Sequence, residues 1–181
     1  LTRARLHQDP PINRAPSAND PGTPTDPVVV LDSVNRTATP WTKQKFEARP
    51  LSAAASSPDG LTILVSGGMD EDSEPSNSLE YVNAASPDQL VDESAVVVRS
   101  EKLNFPRMGH TATWFGEGAL ILGGNFDSAV ANIAEVIFDD EFTPVPVVID
   151  GDAGAMPMVF HTTGHVLADG SKHVFLLSGG F

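Results

Sequence analysis

The sequence contains no cysteine. Disulfides, thiolate metal sites and cysteine nucleophiles are therefore excluded, and packing has to supply the stability. Cationic side chains are scarce, with 11 Lys and Arg against 24 Asp and Glu and a net charge of −13. Such a surface repels nucleic-acid phosphates and anionic lipid, so no nucleic-acid partner is expected. No apolar run approaches the roughly 20 residues of a bilayer-spanning helix, so no membrane insertion is expected. Nothing at Leu1 resembles a signal peptide, and a first residue other than Met points to removal of something upstream.

At 181 residues, the chain suits one domain or part of a larger one. Residues 1–27 hold Pro10, Pro11, Pro16, Pro21, Pro24 and Pro27 among Asn, Asp, Ser and Thr. That composition cannot bury a core and reads as a Pro-rich linker or arm. From residue 28 onward, short apolar β-branched runs alternate with turn residues, the pattern of an all-β domain. The runs are 28–32, 61–66, 78–83, 94–100, 110–115, 119–122, 133–139, 145–150 and 173–178. No amphipathic helix is evident, and residues 84–93 have room for a single helical turn at most.

A repeat organises these runs. Gly67-Gly68, Gly123-Gly124 and Gly179-Gly180 each end an apolar run, and each pair lies 56 residues from the last. A turn precedes each run, at Asp59-Gly60, Gly116-Glu117-Gly118 and Asp169-Gly170. A Glu-led strand follows two of the pairs, at Glu80 and Glu135. Four short strands per unit at such a period predict propeller blades.

Together, the basic residue Arg107, His110, a Gly-containing turn, an apolar strand, Gly-Gly and a Glu-led strand resemble the kelch repeat of β-propellers. The resemblance implies that Gly67, Gly68, Gly123, Gly124, Gly179 and Gly180 close the second strand of their blades, where only glycine permits the backbone conformation and close packing. Arg107 and His110 open the clearest unit. The other units depart from the pattern, with Arg49 but Ser52 in one and Met158 but His161 in the next, and only Trp41 matches the family's Trp. The turn at 56–60 is also similar to that of TolB-type blades.

The resemblance divides the chain into outer strands at 28–48, blades at 49–106 and 107–157, and inner strands at 158–181. That is about three blades, whereas a closed propeller needs at least four. Three completions stand open: the remaining blades of the same polypeptide, a second copy pairing inner with outer strands to make six blades, or an open array held by other partners.

Candidate chemistry is sparse. His161 and His165 at i and i+4 on a strand would stand about 13 Å apart, too far for one ion, so no metal site is expected. Imidazoles at His110 and His161 are expected to bond neighbouring backbone. The acidic run Asp70, Glu71, Asp72 and Glu74 lacks the Gly and bidentate Glu of an EF-hand loop, which Pro75 and Tyr81 replace. It reads as a solvated loop, as do Asp150 and Asp152. No G-x-S-x-G elbow or phosphate loop occurs. Copper-radical enzymes of the kelch type need a Cys linked to a Tyr; this chain offers one Tyr and no Cys, and no cofactor is expected. Asn35-Arg36-Thr37 matches a glycosylation sequon and decides nothing alone.

The functional expectation is a non-enzymatic kelch-like module, structural or protein-binding, in a larger exported or cell-envelope assembly. Its contact surface would be the loops after each Gly-Gly, with Met69, Asp70, Glu71, Asp72, Asn125, Phe126 and Asp127 as recognition candidates. The alternative is part of a propeller enzyme whose site lies in the central channel and draws on residues outside this stretch.

Overall fold

In a computed structural model the protein is all-β. The structure describes residues 29–40, 49–86, 88–89, 96–99, 102–116, 118–124, 133–138, 143–148, 159–170 and 172–180. The Pro-rich arm, Trp41, the loop at 125–132, the loop at 149–157 and Met158 lie outside them.

The described strands are β1 (Val29–Asp32), β2 (Thr37–Pro40), β3 (Ala53–Ser56), β4 (Thr62–Ser66), β5 (Leu79–Asn83), β6 (Val96–Arg99), β7 (Thr111–Phe115), β8 (Gly118–Leu122), β9 (Ile133–Phe138), β10 (Pro144–Val148), β11 (His161–Asp169) and β12 (Lys172–Gly179). Each run expected as a strand contains one, with ends shifted by at most two residues. Among the described residues a helical turn falls at 88–89, where the Gln89 amide donates to Ser86 O and the Gln89 side chain accepts from the Ala85 amide.

Among the described residues, the named strands pair antiparallel with their neighbours in sequence. Strands β3-β4-β5-β6 form a first four-stranded sheet and β7-β8-β9-β10 a second. Strands β1-β2 and β11-β12 form separate two-stranded hairpins. The two complete sheets share a register: Val65 faces Glu80 in the first, and Ile121 faces Glu135 in the second, in both cases two residues before the Gly-Gly pair. Local turn chemistry sets up the β3-β4 hairpin. Asp59 accepts from the Leu61 amide and the Ser57 hydroxyl, while Ser57 Oγ accepts from the Thr62 amide.

The sheets stack in order. Leu64, Leu79 and Tyr81 on one face of the first sheet meet Ala119, Ile121 and Ile137 on the second, with Leu103 completing the cluster. These side chains alternate along their strands, as a pleated sheet with one face inward requires. The opposite face of the second sheet, carrying Thr111, Thr113 and Phe115, packs on the β11-β12 hairpin through Thr163, His165, His173 and Phe175. Beyond it the hairpin's far face is open: Val166, Val174 and Leu176 are exposed. Among the described residues, no helix is long and apolar enough to cross a membrane.

Candidate functional site

The residues singled out by the repeat converge where one sheet meets the next. Arg107, fully buried, precedes β7 and reaches across to the third strand of its own sheet. Its Nε donates to Glu135 Oε1 at 3.2 Å, one terminal nitrogen to Gly123 O at 2.9 Å and the other to Ile133 O at 2.6 Å. Glu135, also fully buried, accepts in addition from the Asn104 amide and side chain and from the Phe105 amide. A buried ion pair is tolerated when its remaining donors and acceptors are filled in this way. Burial pulls the Arg107 guanidinium below its ordinary value, and the Glu135 charge and hydrogen bond oppose that pull.

The first sheet repeats the arrangement. Arg49 Nε donates to Gly67 O at 2.6 Å, and a terminal nitrogen donates to Glu80 at 3.2 Å, with both side chains buried. In both sheets, then, an arginine at the strand approach joins the first glycine's carbonyl to the Glu of the third strand. The sequence displayed all four charged residues but not their pairing, because 31 and 28 residues separate the partners.

The Gly-Gly pairs are shaped by these approaches. All six glycines have positive φ. A Cβ on Gly67 would lie 2.5 Å from Arg107 O and 2.6 Å from the His110 ring, both contributed by the following sheet. One on Gly124 would lie 2.4 Å from the Cβ of His110 in its own sheet. The first glycine thus admits the next unit, and the second admits its own lead-in segment.

The histidines bond across to the preceding sheet, through hydroxyls as well as backbone. His110 Nε2 lies 2.8 Å from Ser66 Oγ, and His161 Nε2 lies 3.0 Å from Thr111 Oγ1. Each imidazole therefore meets a hydroxyl of the preceding sheet. Burial first, then the Arg107, His161 and Arg49 charges, push the His110 pKa down to about 3. A neutral, enclosed imidazole of this kind acts as a spacer between sheets.

A second series links the lead-in segments. The Phe160 amide donates to Gly109 O at 2.8 Å, and the Gly109 amide to Leu51 O at 2.9 Å. These three residues hold equivalent places and share positive φ of 57°, 65° and 62° for Phe160, Gly109 and Leu51. The ladder imposes the left-handed conformation even where the residue is not glycine.

Of the loop candidates, Met69, Asp70, Glu71 and Asp72 are described, and Asn125, Phe126 and Asp127 lie outside the described residues. Asp70 Oδ1 accepts from the Asp72 and Glu74 amides, and the Asp70 amide donates to Glu74 O. The Met69 amide is held by Pro50 O. Asp70 thereby builds the turn, leaving Glu71 and Asp72 exposed at its tip. Among the described residues, no group of three or more His, Asp or Glu could hold a metal ion. His161 and His165 do not meet; instead His165 Nε2 lies 3.2 Å from His173 Nδ1 across the β11-β12 hairpin, flanked by Phe115 and Phe175. Pairing of His165 with Phe175 puts His173, two residues from Phe175 on the same face, diagonally beside it, and no sequence signal marks that register.

The first strands, β3, β7 and β11, present small and hydroxylic side chains, and Thr111 bonds Thr163 Oγ1 at 2.7 Å. Those hydroxyls serve contact between sheets. No known protein family matches the chain, and no curated protein matches it.

Proposed function

We propose that the chain is a kelch-like propeller segment that serves as a structural and protein-binding module in a larger exported or cell-surface assembly. The observation that carries this reading is the duplicated junction: Arg49-Glu80 at Gly67 and Arg107-Glu135 at Gly123, each closing a four-stranded meander that stacks on the next. The conspicuous polar groups are consumed in holding sheets together, which favours a scaffold over a reaction centre. Recognition is assigned to the rim after each Gly-Gly, where Glu71 and Asp72 stand exposed on a turn fixed by Asp70. An acidic tip of this sort suits a protein partner with a basic patch.

Photo-crosslinking side chains placed singly at Glu71 and at Asp59, at opposite ends of β4, test the assignment in the protein's native source. Recurrent protein adducts from position 71 and not from position 59 are expected. Equal labelling from both positions, or none from either, would remove the rim from the binding role.

A further inference from the structure

We propose that His165 and His173 form a two-imidazole site for an exchangeable divalent transition-metal ion of the Zn²⁺ and Cu²⁺ class. The site goes beyond the scaffold reading and does not depend on it, because every residue it uses lies in β7, β11 and β12.

The pair sits where its hairpin departs from the repeat. The β11-β12 ladder runs to Asp169–Lys172, seven residues before Gly179. The β7-β8 ladder ends at Phe115–Gly118, five before Gly123, and the β3-β4 ladder at Ser56–Ile63, four before Gly67. His173, opposite Ala168, belongs to the added length. In the shared register, Trp114 and Ser56 stand where His165 stands. Features that recur from sheet to sheet serve the stacking, and among the described residues this histidine pair recurs nowhere.

Chelation needs nitrogens that converge at the right separation. An ion bound by two imidazoles at about 2.0–2.1 Å, at square or tetrahedral angles, holds their nitrogens roughly 2.9–3.4 Å apart. His165 Nε2 and His173 Nδ1 stand 3.2 Å apart, with ring centroids at 5.2 Å and planes tilted by 47°. The strand register fixes this placement, since His165 pairs with Phe175 and His173 lies two residues from Phe175 on the same face. Phe175 stands 5.3 Å from the His165 ring, and Phe115 of the second sheet meets the His173 ring edge-on at 4.8 Å. Neighbours thus set both rings before an ion arrives, so little ordering entropy is lost on binding. Without an ion, one of the two nitrogens carries a proton that hydrogen-bonds the other. The metal takes the place of that bridging proton, which re-enters at the far nitrogen of its own ring, and both imidazoles stay neutral donors.

The surroundings select the ion. Imidazole nitrogen suits Zn²⁺, Cu²⁺ and Ni²⁺, whereas Mg²⁺ and Ca²⁺ require oxygen. Both histidines are only half-buried, and a net charge of −13 draws cations to the surface. Among the described residues no third His, Asp or Glu joins the pair. Two protein donors leave the remaining coordination positions to water, unlike the four donors of a structural zinc site. Such an ion comes and goes without unfolding the chain.

The test is a Zn²⁺ titration of the isotope-labelled chain, followed at the imidazole nitrogens by NMR. Saturable one-to-one shifts of His165 Nε2 and His173 Nδ1 at sub-millimolar Zn²⁺ are expected, with none from Mg²⁺. Ligation through unlike nitrogens of the two rings is a signature that separate histidines binding singly do not give. His165→Gln and His173→Gln should each weaken binding roughly tenfold or more, as loss of one arm of a two-point attachment requires. Shifts at other nitrogens, unchanged affinity in the variants, or no saturable shift at either ring overturns the site. The titration of the unsubstituted chain decides the matter even where a variant fails to fold. Amide protection at Gly67 and Gly68 should survive removal of the ion by EDTA. Its loss would overturn the exchangeable site, because the ion would then be structural.

Discussion

At the scale of single residues, the consequences turn on what each group touches. A methyl group at Gly124 collides with the Cβ and backbone of His110, while one at Gly60 meets open space at a similar positive φ. Gly124→Ala is expected to cost more than about 3 kcal/mol and Gly60→Ala only about 1 kcal/mol, the strain of the left-handed backbone alone. Urea midpoints would show the difference. Removing Arg107 leaves the Glu135 carboxylate buried without its counter-charge. Arg107→Met should therefore cost about 3–5 kcal/mol, and the double variant Arg107→Met/Glu135→Gln less than the sum of the single ones, as a double-mutant cycle would reveal.

His110 gives the fold a pH dependence whose sign is fixed. Its folded pKa of about 3 lies below the value near 6.5 of a free imidazole, so below pH ~6.5 the unfolded chain takes up a proton that the folded chain refuses. This contribution is neutral above pH ~6.5 and destabilises increasingly as pH falls toward 3, by at most about 1.4 kcal/mol per pH unit. Between pH 7 and 4.5, the unsubstituted chain should lose about 2 kcal/mol more than the His110→Asn variant. Parallel slopes for the two would show that the imidazole is not enclosed as described.

At the scale of elements, legibility followed local signal. Strands with dense β-branched residues, such as Thr62–Ser66 and Ile133–Phe138, could be read from composition. Ala53–Ser56 and Thr37–Pro40 could not, because alanine, serine and threonine alternate without an apolar face, and their places come from hydrogen bonding to stronger neighbours. The Gly-Gly pairs announced the junction, yet the roles of Asn104 and Phe105 stayed hidden. They act through backbone and amide groups that any sequence offers, and only folding brings them to Glu135. His165 and His173 were visible as residues and invisible as a pair, since the register of β11 on β12 decides which rings lie side by side. The rim loop yields a prediction at this scale. Asp70→Ala removes the acceptor for two amides, so exchange at Asp72 and Glu74 should accelerate roughly tenfold or more, the equivalent of about 1.4 kcal/mol. Gly67 and Gly68 should remain protected, because their bonds run to Ser78 and Arg107.

At the scale of the whole molecule, a net charge of −13 on 181 residues makes self-repulsion a standing cost of compactness. Raising the ionic strength from about 0.01 M to 0.15 M shortens the screening length from ~30 Å to ~8 Å. The thermal midpoint should therefore rise with added sodium chloride, and a fall would mean that the Arg-Glu pairs, rather than the surplus carboxylates, dominate the charge balance.

The rim turn is not an appendage. The Ser76 amide bonds Gly68 O, the Arg107 amide bonds Ser76 O, and the Gly68 amide returns to Arg107 O, so the base of the loop and the start of the neighbouring sheet form one closed circuit of main chain. Force applied at Met69 or Pro75 is passed to the junction of the two sheets through main-chain hydrogen bonds. A body that seizes this loop takes hold of a lever, and its grip would register as a change in the torsional stiffness of the stack.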